Sequence, residues 1–170
     1  MSEKIVYRCS KCEKVHEGLP AIAYDAPLPY YQLSEDDRTE NAVLTDDLCG
    51  IAGEHWFVRA VLEVPVIGHA EKLEWGVWGS LSEENFMLYR DSFEDDDQSK
   101  LGPMFSWFSS RLPDYPDTAN LKCRIVPRDR RQRPLIEFHP DDAHALAQDA
   151  RNGISLERAI GFVVPVLHKH

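Results

Sequence analysis

The sequence lacks any apolar run approaching the roughly 20 residues that span a bilayer, and its mean hydropathy is -0.42, so no membrane partner is expected. Met1 to Arg8 is polar and too poor in apolar side chains for a secretory leader, which makes the cytoplasm the expected compartment. Positive charge is scarce: 19 Lys and Arg stand against 29 Asp and Glu, a net charge of -10. That balance repels a phosphate backbone, so nucleic acid is not an expected partner. The basic cluster Arg128 to Arg133 reads as a charged hairpin end in water. Ser80 and Ser82 sit in no GxSxG elbow, and no HExxH helix motif occurs, so neither a serine hydrolase nor a standard zinc protease is indicated. The acidic run Glu94 to Asp97 lacks the spacing and glycine of an EF-hand and reads as a solvated loop.

Cysteine is also sparse, and what there is carries the chemistry. In a reducing compartment four cysteines are not naturally two disulfides, and the Cys9-Ser-Lys-Cys12 turn reads as a metal or redox motif. Zinc takes four nitrogen or sulfur ligands tetrahedrally, and a CxxC turn offers two at low conformational cost. Cys49 and His16 complete the expected set Cys9, Cys12, Cys49 and His16, with His55 as the alternative fourth ligand. Cys123 alternates with Leu121 and Ile125 and reads as a buried thiol, while His144 and His168 read as surface or satisfied core histidines. A thioredoxin-like pair is a weaker reading, because the residues after Cys12 form no apolar helical stripe. A catalytic zinc with an open position would need a base such as Glu54 or Glu63.

The chain of 170 residues is long enough for one well-buried core, so 1-170 is expected as a single domain with a CxxC knuckle at about 5-20. Ile5 to Arg8 reads as a strand feeding the knuckle, with Leu19 to Tyr24 as its partner. Ser34 to Asp37 caps a short helix inside a long connection. His55 to Val66 alternates Trp56, Val58, Ala60, Leu62 and Val64 against Phe57, Arg59, Val61 and Glu63. With Lys72 to Gly79 it predicts a central antiparallel hairpin covered on both faces. Arg59 and Glu63 share a face of that strand and are a candidate ion pair. A helix is expected over about Leu81 to Phe93, opened by Ser80 and Glu83 as a capping box. Further strands are expected at Met104 to Arg111, Leu121 to Val126 and Pro134 to Phe138. Helices are then expected from Pro140 to near Gly153 and after Ser155, with Pro165 kinking or ending the last. Trp56, Trp75, Trp78 and Trp107 read as core more than as a ligand pocket. The fold class is α+β: a mostly antiparallel sheet with packed helices and an N-terminal zinc-knuckle-like turn.

A set of motifs spread along the chain adds a resemblance. Tyr7-Arg-Cys-Ser-Lys-Cys12, His16-Glu-Gly-Leu-Pro20, Asp47-Leu-Cys-Gly-Ile51, Glu54-His-Trp-Phe-Val-Arg59, Leu62-Glu-Val-Pro65, Trp75-Gly-Val-Trp78, Ser80-Leu-Ser-Glu-Glu-Asn85, Leu112-Pro-Asp-Tyr-Pro116, Asn152-Gly-Ile154 and Leu167-His168 together resemble the bacterial family of domain of unknown function 2199. The resemblance implies a single-domain bacterial protein with no assigned activity. It places Cys9, Cys12, His16, Cys49 and His55 at motif positions, consistent with Zn2+ as cofactor. The leading expectation is a noncatalytic cytoplasmic zinc protein that presents an acidic surface to another protein; the rivals are a small zinc-dependent hydrolase or deaminase-like enzyme and a CxxC redox protein.

Overall fold

The computed structural model of the protein describes residues 4–168. In chain order the N-terminal half contains β1 (Val6–Arg8), β2 (Val15–Glu17), β3 (Ile22–Ala23), α1 (Leu28–Tyr31), α2 (Glu35–Asn41), β4 (Ala42–Leu44), β5 (Leu48–Ile51), β6 (His55–Pro65) and β7 (Lys72–Leu81). The remainder contains α3 (Glu83–Asp91), a 3-10 turn (Gln98–Leu101), β8 (Met104–Trp107), β9 (Lys122–Val126), β10 (Leu135–Phe138), α4 (Ala145–Asn152) and α5 (Leu156–Leu167). The fold is α+β, as the sequence pattern indicates, and the main sheet is mixed, with parallel pairs β3/β7 and β6/β10 among antiparallel ones.

The hairpin of β6 and β7 is its centre, paired continuously from Trp56 with Leu81 to Pro65 with Lys72. Period-two alternation sends Val58, Ala60, Leu62 and Val64 to the same face as Leu73, Trp75 and Val77, and all are buried. The opposite face carries Phe57 and Trp78, which form a second apolar cluster with Cys49 and Ile51. Both faces of the hairpin are therefore covered, which fits its mixed apolar pattern.

From β6 the sheet continues through β10, β9 and β8, then curls until the chain after β8 meets β7 again. Gly79 bridges Phe108, Ser109 N–H donates to Trp78 C=O at 2.8 Å, and Trp107 N–H donates to Ser80 Oγ at 2.9 Å. This closure needs a residue without a side chain. A Cβ on Gly79 would lie 2.5 Å from Ser106 Oγ and 2.8 Å from the Ile125 Cδ1 methyl.

Several local boundaries differ from the sequence pattern. β1 pairs with Val15–Glu17, and Ile22–Ala23 instead joins β7 in parallel, because Gly18 at φ +80 turns the chain away from the knuckle. Ser82, not Ser80, caps α3 by accepting from Asn85 N–H at 3.2 Å; Ser80 stays in β7. α4 starts at Ala145, where the His144 ring accepts from Leu146 N–H at 3.0 Å, leaving the segment after Pro140 irregular. Pro165 removes one helical donor, and α5 ends two residues later at Leu167. Arg59 and Glu63 do not pair. Arg59 reaches Asp25 at 3.9 Å and Asp46 C=O at 3.2 Å, and Glu63 reaches Lys72 at 3.8 Å across the hairpin. The basic loop is held by the acidic one: Arg131 contacts Glu94 and Asp96 at 3.6 and 3.5 Å.

Candidate metal centre

β1 and β2 form a two-stranded knuckle with little apolar substance of its own. Ile5 and Tyr7 reach the main core, while Val6 and Val15 are about 60% exposed. Its turn is backbone-built: Cys9 N–H donates to Lys14 C=O and Glu13 N–H to Cys9 C=O, both at 2.9 Å, with Glu13 left-handed at φ 60. Glu71, in the loop between β6 and β7, fastens both legs. Its carboxylate accepts from Ile5 N–H at 2.8 Å and from Leu19 N–H at 2.7 Å. The knuckle therefore sits at the turn end of the central hairpin.

The turn brings Cys9 Sγ, Cys12 Sγ and a His16 ring nitrogen within 4.8 Å of one another. Cys12 Sγ lies 3.4 Å from His16 Nε2. Two donors on one tetrahedral zinc, with Zn–S near 2.3 Å and Zn–N near 2.0 Å, stand about 3.5 Å apart, so this spacing suits a shared ion. His16 is steadied by the Tyr7 ring, whose centroid is 5.8 Å from its own. Tyr7 is opposite His16 in the β1/β2 register. Cys9 is shielded from solvent, yet its thiol is lowered to about 6. The backbone N–H of Cys12 contributes most, followed by His168, and both favour thiolate over thiol. Burial raises the Tyr7 phenol, and the charges of Cys9 and Glu71 raise it further.

The other two expected ligands lie elsewhere. Cys49 pairs with Phe57 near the start of β6, whereas the knuckle sits beyond its far end at Pro65. Eight strand residues at about 3.3 Å each separate those ends by roughly 26 Å. Cys49 packs with Ile51, Phe57 and Trp78, and burial pushes its thiol up to about 12. His55 is at the same distant end, exposed, and lines a cleft of about 390 Å³ with Ser80, Trp107 and Arg111. Cys123 is a core thiol on β9, raised to about 12 by burial. Trp75 and Trp78 are core. Trp56 flanks a groove of about 480 Å³ with Val43, Leu48, Cys49 and Phe86, and Trp107 is 41% exposed.

The residue that sequence reasoning missed is His168. It follows α5, and its Nε2 lies 3.0 Å from Cys9 Sγ across 159 positions of sequence. No spacing rule connects such distant donors; the Leu167-His168 motif was the single available signal.

Comparison with known families agrees with the motif pattern from Arg8 to Ile154; the Leu167-His168 pair lies beyond the matched residues. A family profile described as uncharacterized protein conserved in bacteria (DUF2199) matches residues 8–154. No curated protein and no solved structure matches the chain at a significant level.

Proposed function

The chain belongs to this family of bacterial proteins, and within it we propose a cytoplasmic zinc-binding protein whose zinc is structural and whose folded surface serves as a protein-interaction module. The observation that carries the reading is the convergence of Cys9, Cys12 and His16 within 4.8 Å. A sulfur and imidazole donor set suits zinc better than magnesium or calcium, which prefer oxygen. A structural role is supported by the knuckle's small apolar content, which gives two short strands little besides a bound ion to hold them closed. Glu63, one candidate base, is engaged by Lys72. The redox alternative is weakened because the turn after Cys12 leads into β2 and not into a helix whose dipole would activate a thiol. An interaction role is supported by the net charge of -10 and by Phe105 and Trp107, which stand 54% and 41% exposed side by side on β8.

Three mutually close donors would also suit a hydrolytic or deaminase-like zinc with water in the fourth position, and that observation keeps this second reading in play. Elemental analysis of protein purified without added metal tests the proposal. About one zinc per chain is expected; a folded chain without metal would refute it.

A further inference from the structure

We propose that His168 is the fourth ligand of the knuckle's zinc, so that the ion joins the C-terminal end of α5 to the N-terminal turn. This rests on the zinc reading above and adds what completes the site. The first ground is position. His168 Nε2 lies 3.0 Å from Cys9 Sγ, and Cys12 Sγ lies 3.4 Å from His16 Nε2, so each thiol has one imidazole nitrogen beside it. Both separations are near the roughly 3.5 Å expected for sulfur and nitrogen on one tetrahedral zinc; His168 stands outside the trio that lies within 4.8 Å, so binding would also draw its ring inward toward the other donors.

The second ground is that the fold delivers α5 to this place by independent contacts. Ile154 bridges Val66 in parallel, its N–H donating to Pro65 C=O and its C=O accepting from Ile67 N–H, both at 2.9 Å. The C-terminal helices are thus anchored at the same end of the hairpin where Glu71 holds the knuckle. Along α5, Phe162 packs edge-on to Trp75 at 5.3 Å and stacks on Tyr115 at 5.7 Å. His168 itself has left helical geometry, at φ -115 and ψ 17, so the helix does not dictate its ring orientation.

The third ground is chemical. Two thiolates and two neutral imidazoles make a closed Cys2His2 set, the arrangement of structural zinc, and they leave no position for a reactive water. The inference therefore favours the structural reading over the hydrolytic one.

The test uses the full-length chain, titrated with zinc and, separately, with cobalt(II), whose visible absorption reports coordination number and thiolate count. His168→Ala is expected to weaken zinc binding at least about tenfold and to weaken or shift the four-coordinate cobalt band. His168→Cys should restore tight binding and add thiolate-to-cobalt charge transfer, because it supplies a different donor at the same place. His168→Asn can donate a hydrogen bond to Cys9 but is a poor ligand, and it should behave like the alanine variant. Unchanged affinity and spectrum in His168→Ala, or full rescue by Asn, would overturn the fourth-ligand assignment while leaving the zinc reading intact. Failure of the unaltered chain to bind either metal would refute both.

Discussion

The curled sheet and the knuckle are stabilised in opposite ways. Around β6 and β7, closely packed side chains such as Val58, Leu62, Leu73 and Val77 are fully or almost fully removed from water, and the hydrophobic effect carries the structure. The knuckle has two short strands, two buried anchors in Ile5 and Tyr7, and a turn held by backbone hydrogen bonds. An isolated two-stranded ribbon is marginal in water. The contrast explains why the cysteines diverge chemically. Cys49 and Cys123 belong to apolar packing, where burial raises both thiols to about 12, and Cys9 belongs to a turn whose N–H groups lower it to about 6. A thiol in the first region is packing material; a thiol in the second is held toward its thiolate form and could serve a metal ion.

The contrast can be broken first from the side of the sheet. Leu62→Ala, at a 1% exposed position, should destabilise the whole protein by about 2–5 kcal/mol in denaturant unfolding. Zinc stoichiometry measured below the transition should not change. Cys49→Ser is the next largest. It places a hydroxyl among Ile51, Phe57 and Trp78 and should cost about 1–3 kcal/mol, again with one zinc retained per chain. Cys12→Ser should do the reverse, abolishing zinc retention and opening the knuckle while the sheet unfolds near its original midpoint.

Smaller effects sharpen the comparison. Glu71→Gln leaves one carbonyl oxygen where the carboxylate accepts from both Ile5 and Leu19, so amide exchange at those two positions should quicken by an amount equivalent to about 1–2 kcal/mol. Acid should act on the knuckle before the sheet. The Cys9 thiol is lowered from 9.0 to about 6, so the stabilisation from its thiolate is complete above the unfolded value and is lost as pH falls through about 6. Bound zinc competes with protons for the thiolates, so it should be retained at pH 7 and released only at some pH below about 6, followed by elemental analysis after dialysis; retention at pH 4 would contradict this. The smallest effect should come from Arg131→Gln, which removes exposed contacts to Glu94 and Asp96 and should change stability by no more than about 1 kcal/mol.

Much of the sheet was legible because its signals are periodic. The alternation of Trp56 to Val64 and the Gly68 turn define the central hairpin without reference to anything distant. The closing of the sheet at Gly79 was not legible, since a glycine in a strand does not say which neighbour requires its missing side chain. In the site, Cys9, Cys12 and His16 share one turn, and local spacing brings them together. Proximity in sequence does not identify further donors, as Cys49 illustrates. Its strand pairs with the start of β6, and eleven residues of extended chain carry the knuckle to the other end. His168 is the converse case: far in sequence, but delivered by the Ile154 contact to the same end of the hairpin as Glu71.

If the knuckle binds zinc as proposed, bound metal and not apolar burial holds it closed. Residue-resolved hydrogen exchange with and without a zinc chelator tests it most directly. Chelation should accelerate exchange at Val6–Arg8 and Val15–Glu17 by at least about tenfold and leave β6 and β7 protected as before. Equal protection of the knuckle in chelated and unchelated protein would show that no metal holds it closed.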